Sequence, residues 1–255
     1  MNEPKTITLY ALSSVPMIKT GDNIAEIICD CATKEGFSFR NNDVVVVASK
    51  IISKAEGRTI NLNDITPSAE GLDLAEKSKK DPRLCELYIK ESQKIFRVRE
   101  GVVVTIDRLG FNSTSAGIDR SNTGKREDGN VSLLPLNPDA SAKTIRDTIQ
   151  QKTRKTVAVI INDSFGRPYR EGSVRMLIGL AGIATIENIK KQDLYDNEVN
   201  NQVALSDELS SAASILMGQA DEARPVVIIR GVDFTINEQA KGFTIIRPVE
   251  QEINR

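Results

Sequence analysis

Apolar residues fall along this chain in two rhythms. Short unbroken runs, "DVVVVAS" (43–49), "GVVVTID" (101–107), "TVAVIIND" (156–163) and "RPVVIIRGV" (224–232), have the β-branched density of buried strands. "TITLYAL" (6–12) predicts a further strand and "GFTIIRP" (242–248) a weaker one. Between them the spacing turns helical. In "GDNIAEIICDCATKEG" (21–36), Ile24, Ile27, Ile28 and Cys31 share one face, Asp22 is placed to cap the start, and Gly36 ends the helix. Residues 67–94 read as helix broken near Asp81-Pro82, 137–154 as a helix opened by Pro138-Asp139, and 206–218 as one stopped by Gly218. Helices alternating with buried strands predict an α/β protein, a mixed sheet with flanking helices. No repeat or linker divides residues 1–232, and 233–255 read as a peripheral, mostly polar extension.

Composition narrows the chemistry. Lys and Arg number 34 against 35 Asp and Glu, a net charge of −1, which argues against a dedicated nucleic-acid binder. No apolar run approaches the roughly 20 residues of a membrane span. The first residues lack the basic-then-apolar pattern of a signal peptide, so the cytoplasm is the expected compartment. Cys29, Cys31 and Cys85 fit a reducing compartment and read as small buried hydrophobes; a spacing of two on a helix makes no Cys clamp. The chain has no histidine. That excludes a Ser-His-Asp triad, an imidazole base and a His-based zinc site. Any catalytic metal must be held by oxygen ligands, which select Mg²⁺, Mn²⁺ or Ca²⁺.

Three stretches carry candidate chemistry. In "VVVVASKIISKAEGR" (44–58) a strand delivers Ser49 and Lys50, and Lys54 falls on the face of Lys50 if a helix follows. A hydroxyl and two ammonium groups suit phosphates; the same residues also fit a solvated basic turn. In "TSAGIDRSNTGK" (114–125), Asp119 can ligate a metal or cap a turn. This is no P-loop, because six residues separate Gly117 from Gly124 and Arg126 follows Lys125. In "AVIINDSFGRPYREGS" (158–173), Asp163 and Ser164 follow a buried strand, where α/β sheets place their ligands. Gly166, Arg167 and Arg170 then offer backbone access and positive charge in a loop. Two aspartates at two strand exits make a two-carboxylate metal site reasonable.

These stretches, with "VPMIKTGDNIAEII", "KDPRLCELYIKES", "LLPLNPDASA" and "SDELSSAASILMG", resemble the coenzyme F-420-0:L-glutamate ligases, in order from about residue 15 to residue 232. The resemblance implies a family-specific α/β ligase fold, neither P-loop nor ATP-grasp, and a homodimer. It implies small-molecule substrates: coenzyme F-420-0, L-glutamate and GTP. It also implies a divalent metal (Mn²⁺ or Mg²⁺), stimulation by K⁺, and γ-linked glutamate addition through an acyl phosphate. Carried across by position, the metal ligands fall on Asp119, Asp163, Ser164 and Gln219, with Asp119 and Asp163 as the catalytic carboxylates. The nucleotide contacts fall on Val15, Pro16, Met17 and Ile18; on Ser49, Lys50, Lys54 and Asn122; and on Met217, Gly218, Gln219, Ala220, Asp221, Glu222, Ala223 and Arg224. Arg167 and Arg170 lie in the family's "GRPxR" stretch and are assigned to phosphate or carboxylate binding. Two positions depart from the pattern. "QADEARP" stands where the family is often glycine-rich, and fewer glycines leave the backbone fewer conformations around a nucleotide; Ser115 stands where it often has Asn. Two further readings fit the same stretches: a ligase of the same mechanism with another carboxylate acceptor, and an idle nucleotide-binding module.

Overall fold

The apolar runs become a layered α/β structure. It is a computed structural model and describes residues 5–251; the last four residues of the 233–255 segment lie outside the described residues. In chain order the first elements are β1 (Thr8–Ala11), α1 (Ile24–Lys34), β2 (Val44–Ala48), α2 (Ser49–Ala55) and β3 (Thr59–Asn61). Next come α3 (Ala69–Ser78), α4 (Pro82–Lys90), β4 (Ser92–Arg99), β5 (Val102–Asp107), β6 (Asn112–Thr114) and β7 (Asn130–Ser132). The remainder is α5 (Pro138–Thr153), β8 (Ala158–Arg167), β9 (Arg170–Ala181), β10 (Glu187–Gln192), β11 (Glu198–Val203), α6 (Leu205–Met217) and β12 (Val226–Arg230).

The central sheet has the order β1-β12-β2-β8-β9. Only β2 and β8 run parallel, from Val44 opposite Ala158 to Ala48 opposite Asn162; the other pairs are antiparallel. The valine run is unbroken because both faces of β2 are covered. Val45 and Val47 meet Ile28 of α1 and Ile145 of α5 on one side. Val44 and Val46 meet Leu209 and Ala213 of α6 on the other, where Phe234, Ala240 and Ile245 also pack. A third cluster joins α3 and α4 to Val103 of β5 and Val131 of β7. No helix among the described residues is long and apolar enough to cross a membrane.

Several local expectations change. The 101–107 strand belongs to a separate antiparallel sheet, β4-β5-β6, rather than to the central one. Residues 92–94 open β4 and do not continue the helix, because α4 stops at Lys90. Asn23, not Asp22, caps α1: its side chain accepts from Glu26 N at 3.2 Å, while Asp22 is spent on Lys19 N at 2.7 Å. The 242–248 run is a 3₁₀ turn at Gly242–Ile245. Gly242 sits so close to β9 that a Cβ would lie 2.9 Å from Gly179 Cα, and its N–H donates to Asp139 Oδ1 at 3.0 Å instead of joining a ladder. Finally, Asp163 to Arg167 are not a loop. β8 continues through them and pairs with β9 as far as Arg167 opposite Arg170.

Candidate functional site

The cleft forms where the two parallel strands end. β2 stops at Ala48 and turns directly into α2, while β8 runs on past Asn162. Asp163 and Ser164 thus project beyond the carboxyl edge of β2, the position at which open α/β sheets bind ligands. Lys50 and Lys54, one helical turn apart on α2, both face the resulting cavity of about 370 Å³.

A loop crosses from the second sheet to close one side. Asp119 is held by a bridge to Ser132, with its N–H donating to Ser132 O at 2.9 Å and its carbonyl accepting from Ser132 N at 2.8 Å. Its carboxylate accepts from Ser121 N at 2.7 Å and Ser121 Oγ at 2.9 Å, and Lys50 Nζ lies 2.5 Å from Oδ2. Burial alone would raise this carboxyl, but the hydrogen bonds from Lys50 and Ser121 outweigh it and hold the group below the usual range. Asn122, with φ +54°, reaches across to donate to Ala220 O at 2.9 Å.

Asp163 is the opposite case. Burial pushes its carboxyl up to about 6; Ser164 N, which donates to Oδ1 at 2.8 Å, and the charge of Arg175 only partly offset this. Lys54 is pushed down, first by burial and then by the charge of Lys50. The residues after α6 close the far side. Gln219 Oε1 accepts from Ser164 Oγ at 3.0 Å. Glu222 folds back on its own loop and accepts from Ala220 N at 2.9 Å. Gly218, at φ +68°, makes room for it: a Cβ there would lie 1.9 Å from Glu222 Cδ.

The structure brings together nearly all of the residues that the sequence singles out. Asp119, Asp163, Ser164 and Gln219 line the cleft, as do Ser49, Lys50, Lys54 and Asn122. So do residues 15–18 and Met217, Gly218, Ala220, Asp221, Ala223 and Arg224. Glu222 is not in the lining; it braces the loop by accepting from Ala220 N. Arg167 and Arg170 do not line the cleft. They stand at the hairpin end of β8 and β9, where Arg167 donates to Glu171 O at 2.9 Å. Sequence reasoning missed Arg175 and Ser121, both in the lining. A lone Arg in the apolar run "VRMLIGLA" was the available signal for the first.

The donor set can be tested against a divalent cation. Two carboxylates, a hydroxyl and an amide oxygen are hard ligands of the kind Mg²⁺ and Mn²⁺ select. Among the described residues no group of three or more His, Cys, Asp or Glu is placed to hold a metal, this cleft included, so a cation here would depend on Ser164 and Gln219 beside the two carboxylates. A half-buried carboxylate whose ionised form burial disfavours, with a second carboxylate near enough to raise it further, favours a cation beside it. The residues present fit the ion.

A mixed sheet flanked by helices, with carboxylates, amines and amide oxygens converging at the strand ends, defines an α/β enzyme built on neither the P-loop nor the ATP-grasp design. Comparison with known proteins gives its family. The model of the F-420-0:gamma-glutamyl ligase family matches residues 13–231, and the chain belongs to that family. It is similar to the coenzyme F-420:L-glutamate ligase of Methanothermobacter thermautotrophicus, 42% identical over 98% of this chain and 99% of the relative. The protein of the same name from Methanocaldococcus jannaschii is 39% identical over 100% of this chain and 99% of its own. That from Methanopyrus kandleri is 38% identical over 93% of each.

Proposed function

We propose that this protein is a GTP-dependent ligase that adds L-glutamate through γ-linkages to coenzyme F-420-0. The observation that carries the reading is convergence. Oxygen donors on β8 and the 119–122 loop meet the ammonium groups of α2 in one cleft. Family membership and relatives named as coenzyme F-420:L-glutamate ligases supply the substrates.

In the proposed reaction an oxygen of the acceptor carboxylate bonds to the γ-phosphorus of GTP. The bond from that phosphorus to the β–γ bridging oxygen breaks, and its electron pair leaves with GDP. The uncharged amine of glutamate then attacks the acyl carbon, inorganic phosphate departs with the C–O bonding pair, and the nitrogen gives up a proton. Such chemistry asks for positioning and charge neutralisation rather than a protein nucleophile, which suits a chain without histidine.

Asp119, Asp163, Ser164 and Gln219 would hold Mg²⁺ or Mn²⁺, which when bound neutralises charge on the phosphates. Lys50 holds the Asp119 carboxylate and the 121 backbone in place. Lys54, one turn further on and half desolvated, offers a phosphate a cation that water screens weakly. Asn122 ties its loop to Ala220 and so fixes the mouth of the cleft. Stimulation by K⁺ and a homodimeric assembly belong to the same proposal.

Stoichiometry tests it. Purified protein with F-420-0, glutamate, GTP and Mn²⁺ should release one GDP and one phosphate for each glutamate incorporated. Glutamate incorporation with release of a nucleoside monophosphate would contradict the acyl-phosphate route. Nucleotide binding without any incorporation would favour another acceptor or an idle module.

A further inference from the structure

Arg175 lies in none of the stretches that point to chemistry, yet it lines the cleft. Strand pairing puts it there. It stands opposite Ser164 in the antiparallel register of β8 and β9, and directly opposed residues carry their side chains on the same face of a sheet. The guanidinium therefore shares a face with the Ser164 hydroxyl, which itself bonds Gln219.

This cation is under-used. Of its five N–H donors, one from Nη2 makes a 3.4 Å contact with Gly218 O, at the long limit of a hydrogen bond. Its Nε is buried and finds no hydrogen-bond partner among the described residues. Asp163, Asp119 and Glu222 all bear on its charge, but none of them hydrogen-bonds it, among the described residues. A buried cationic donor left unpaired is costly, and one in a native structure calls for a partner. An anion that enters the cleft beside Asp163 and Ser164 would give the guanidinium the acceptors that its protein neighbours do not. A planar fork on a strand matches two oxygens of a phosphoryl group better than a flexible amine does.

We propose that Arg175 is a substrate-contacting residue that binds the terminal, transferable phosphoryl group of the nucleoside triphosphate. This rests on the nucleotide reading of the cleft and adds to it the contact that distinguishes triphosphate from diphosphate. During transfer, negative charge spreads over the three equatorial oxygens of that group. Arg175 donates hydrogen bonds to them throughout and exchanges no proton.

Isothermal titration of GDP and of a slowly hydrolysed GTP analogue, both with Mg²⁺, tests the assignment. Arg175→Gln should weaken binding of the triphosphate by roughly 10- to 100-fold, the loss expected for hydrogen bonds to a charged group, and change GDP affinity little. Arg175→Lys keeps the charge but not the fork, and should fall between. It also supplies the comparison if Arg175→Gln fails to fold. Equal losses for both nucleotides, or none for either, would overturn the proposal. Wild-type protein that binds neither nucleotide would remove the nucleotide reading itself, and this assignment with it.

Discussion

Lys50 Nζ lies 2.5 Å from Asp119 Oδ2, joining the first turn of α2 to a loop that leaves a different sheet. The same ammonium bonds Ser121 O at 2.8 Å. Asp119 is thus set in place by contacts to its neighbours before any ligand arrives, whereas Asp163 on β8 is held mainly by the strand. The two carboxylates reach one cleft from two independent parts of the fold.

Removing either charge tests that arrangement. Asp119→Asn and Asp163→Asn should each lower kcat by roughly a hundredfold or more, the scale of losing one charge-stabilising group. Melting temperature should stay close to that of the wild type, because each substitution keeps the shape of the side chain. Steady-state rates and a thermal melt on the same preparations decide it. Full activity in both variants would contradict the metal site.

Lys54 separates binding from stability. Replacing it with Met removes a cation that burial and Lys50 already disfavour. The KM for GTP should rise roughly 10- to 100-fold, while the urea midpoint stays level or moves up. A fall in stability with unchanged KM would make Lys54 a structural residue.

Gly218 carries a backbone requirement. At φ +68° and ψ −170° it occupies a region that glycine alone visits freely, and a Cβ would collide with Glu222. Gly218→Ala should cost roughly 1–3 kcal/mol by denaturant titration. It should also weaken nucleotide binding, since the loop that follows lines the cleft. Glu222→Ala removes the collision but not the dihedral strain, so the double variant should recover only part of the loss.

β2, β8 and β12 were legible because their neighbours cover both faces, so burial wrote itself into "VVVV" and "VVII" as continuous apolar runs, whereas β9, exposed over its first four residues, was not read as a strand. β4, β10 and β11 were not, since half or more of their side chains meet water and no run survives. The cleft was legible where its residues cluster in sequence, as at Ser49-Lys50 and Asp163-Ser164. Arg175 was hidden. Its role depends on the register that sets it opposite Ser164, and register is fixed by a hairpin whose sequence resembled a loop.

Glu86 gives an acid-stability prediction. It accepts from Ser68 Oγ at 2.6 Å and Ser68 N at 2.8 Å, at the start of α3. These bonds, with Lys90 assisting and burial opposing, hold its carboxyl down at about 2. A depressed folded value means the stabilisation is complete above the unfolded value near 4.5 and is lost as pH falls towards 2. Urea midpoints followed from pH 5 downwards should therefore drop less steeply for Glu86→Gln than for the wild type. Parallel curves would show that Glu86 does not contribute.

The most direct test of the ligase account is a mass spectrum of the deazaflavin after incubation with F-420-0, glutamate, Mn²⁺ and GTP, beside a control without nucleotide. The account predicts species heavier by whole glutamyl residues with GTP and unchanged precursor without it. Unchanged precursor in both, from protein that binds GTP, would contradict it.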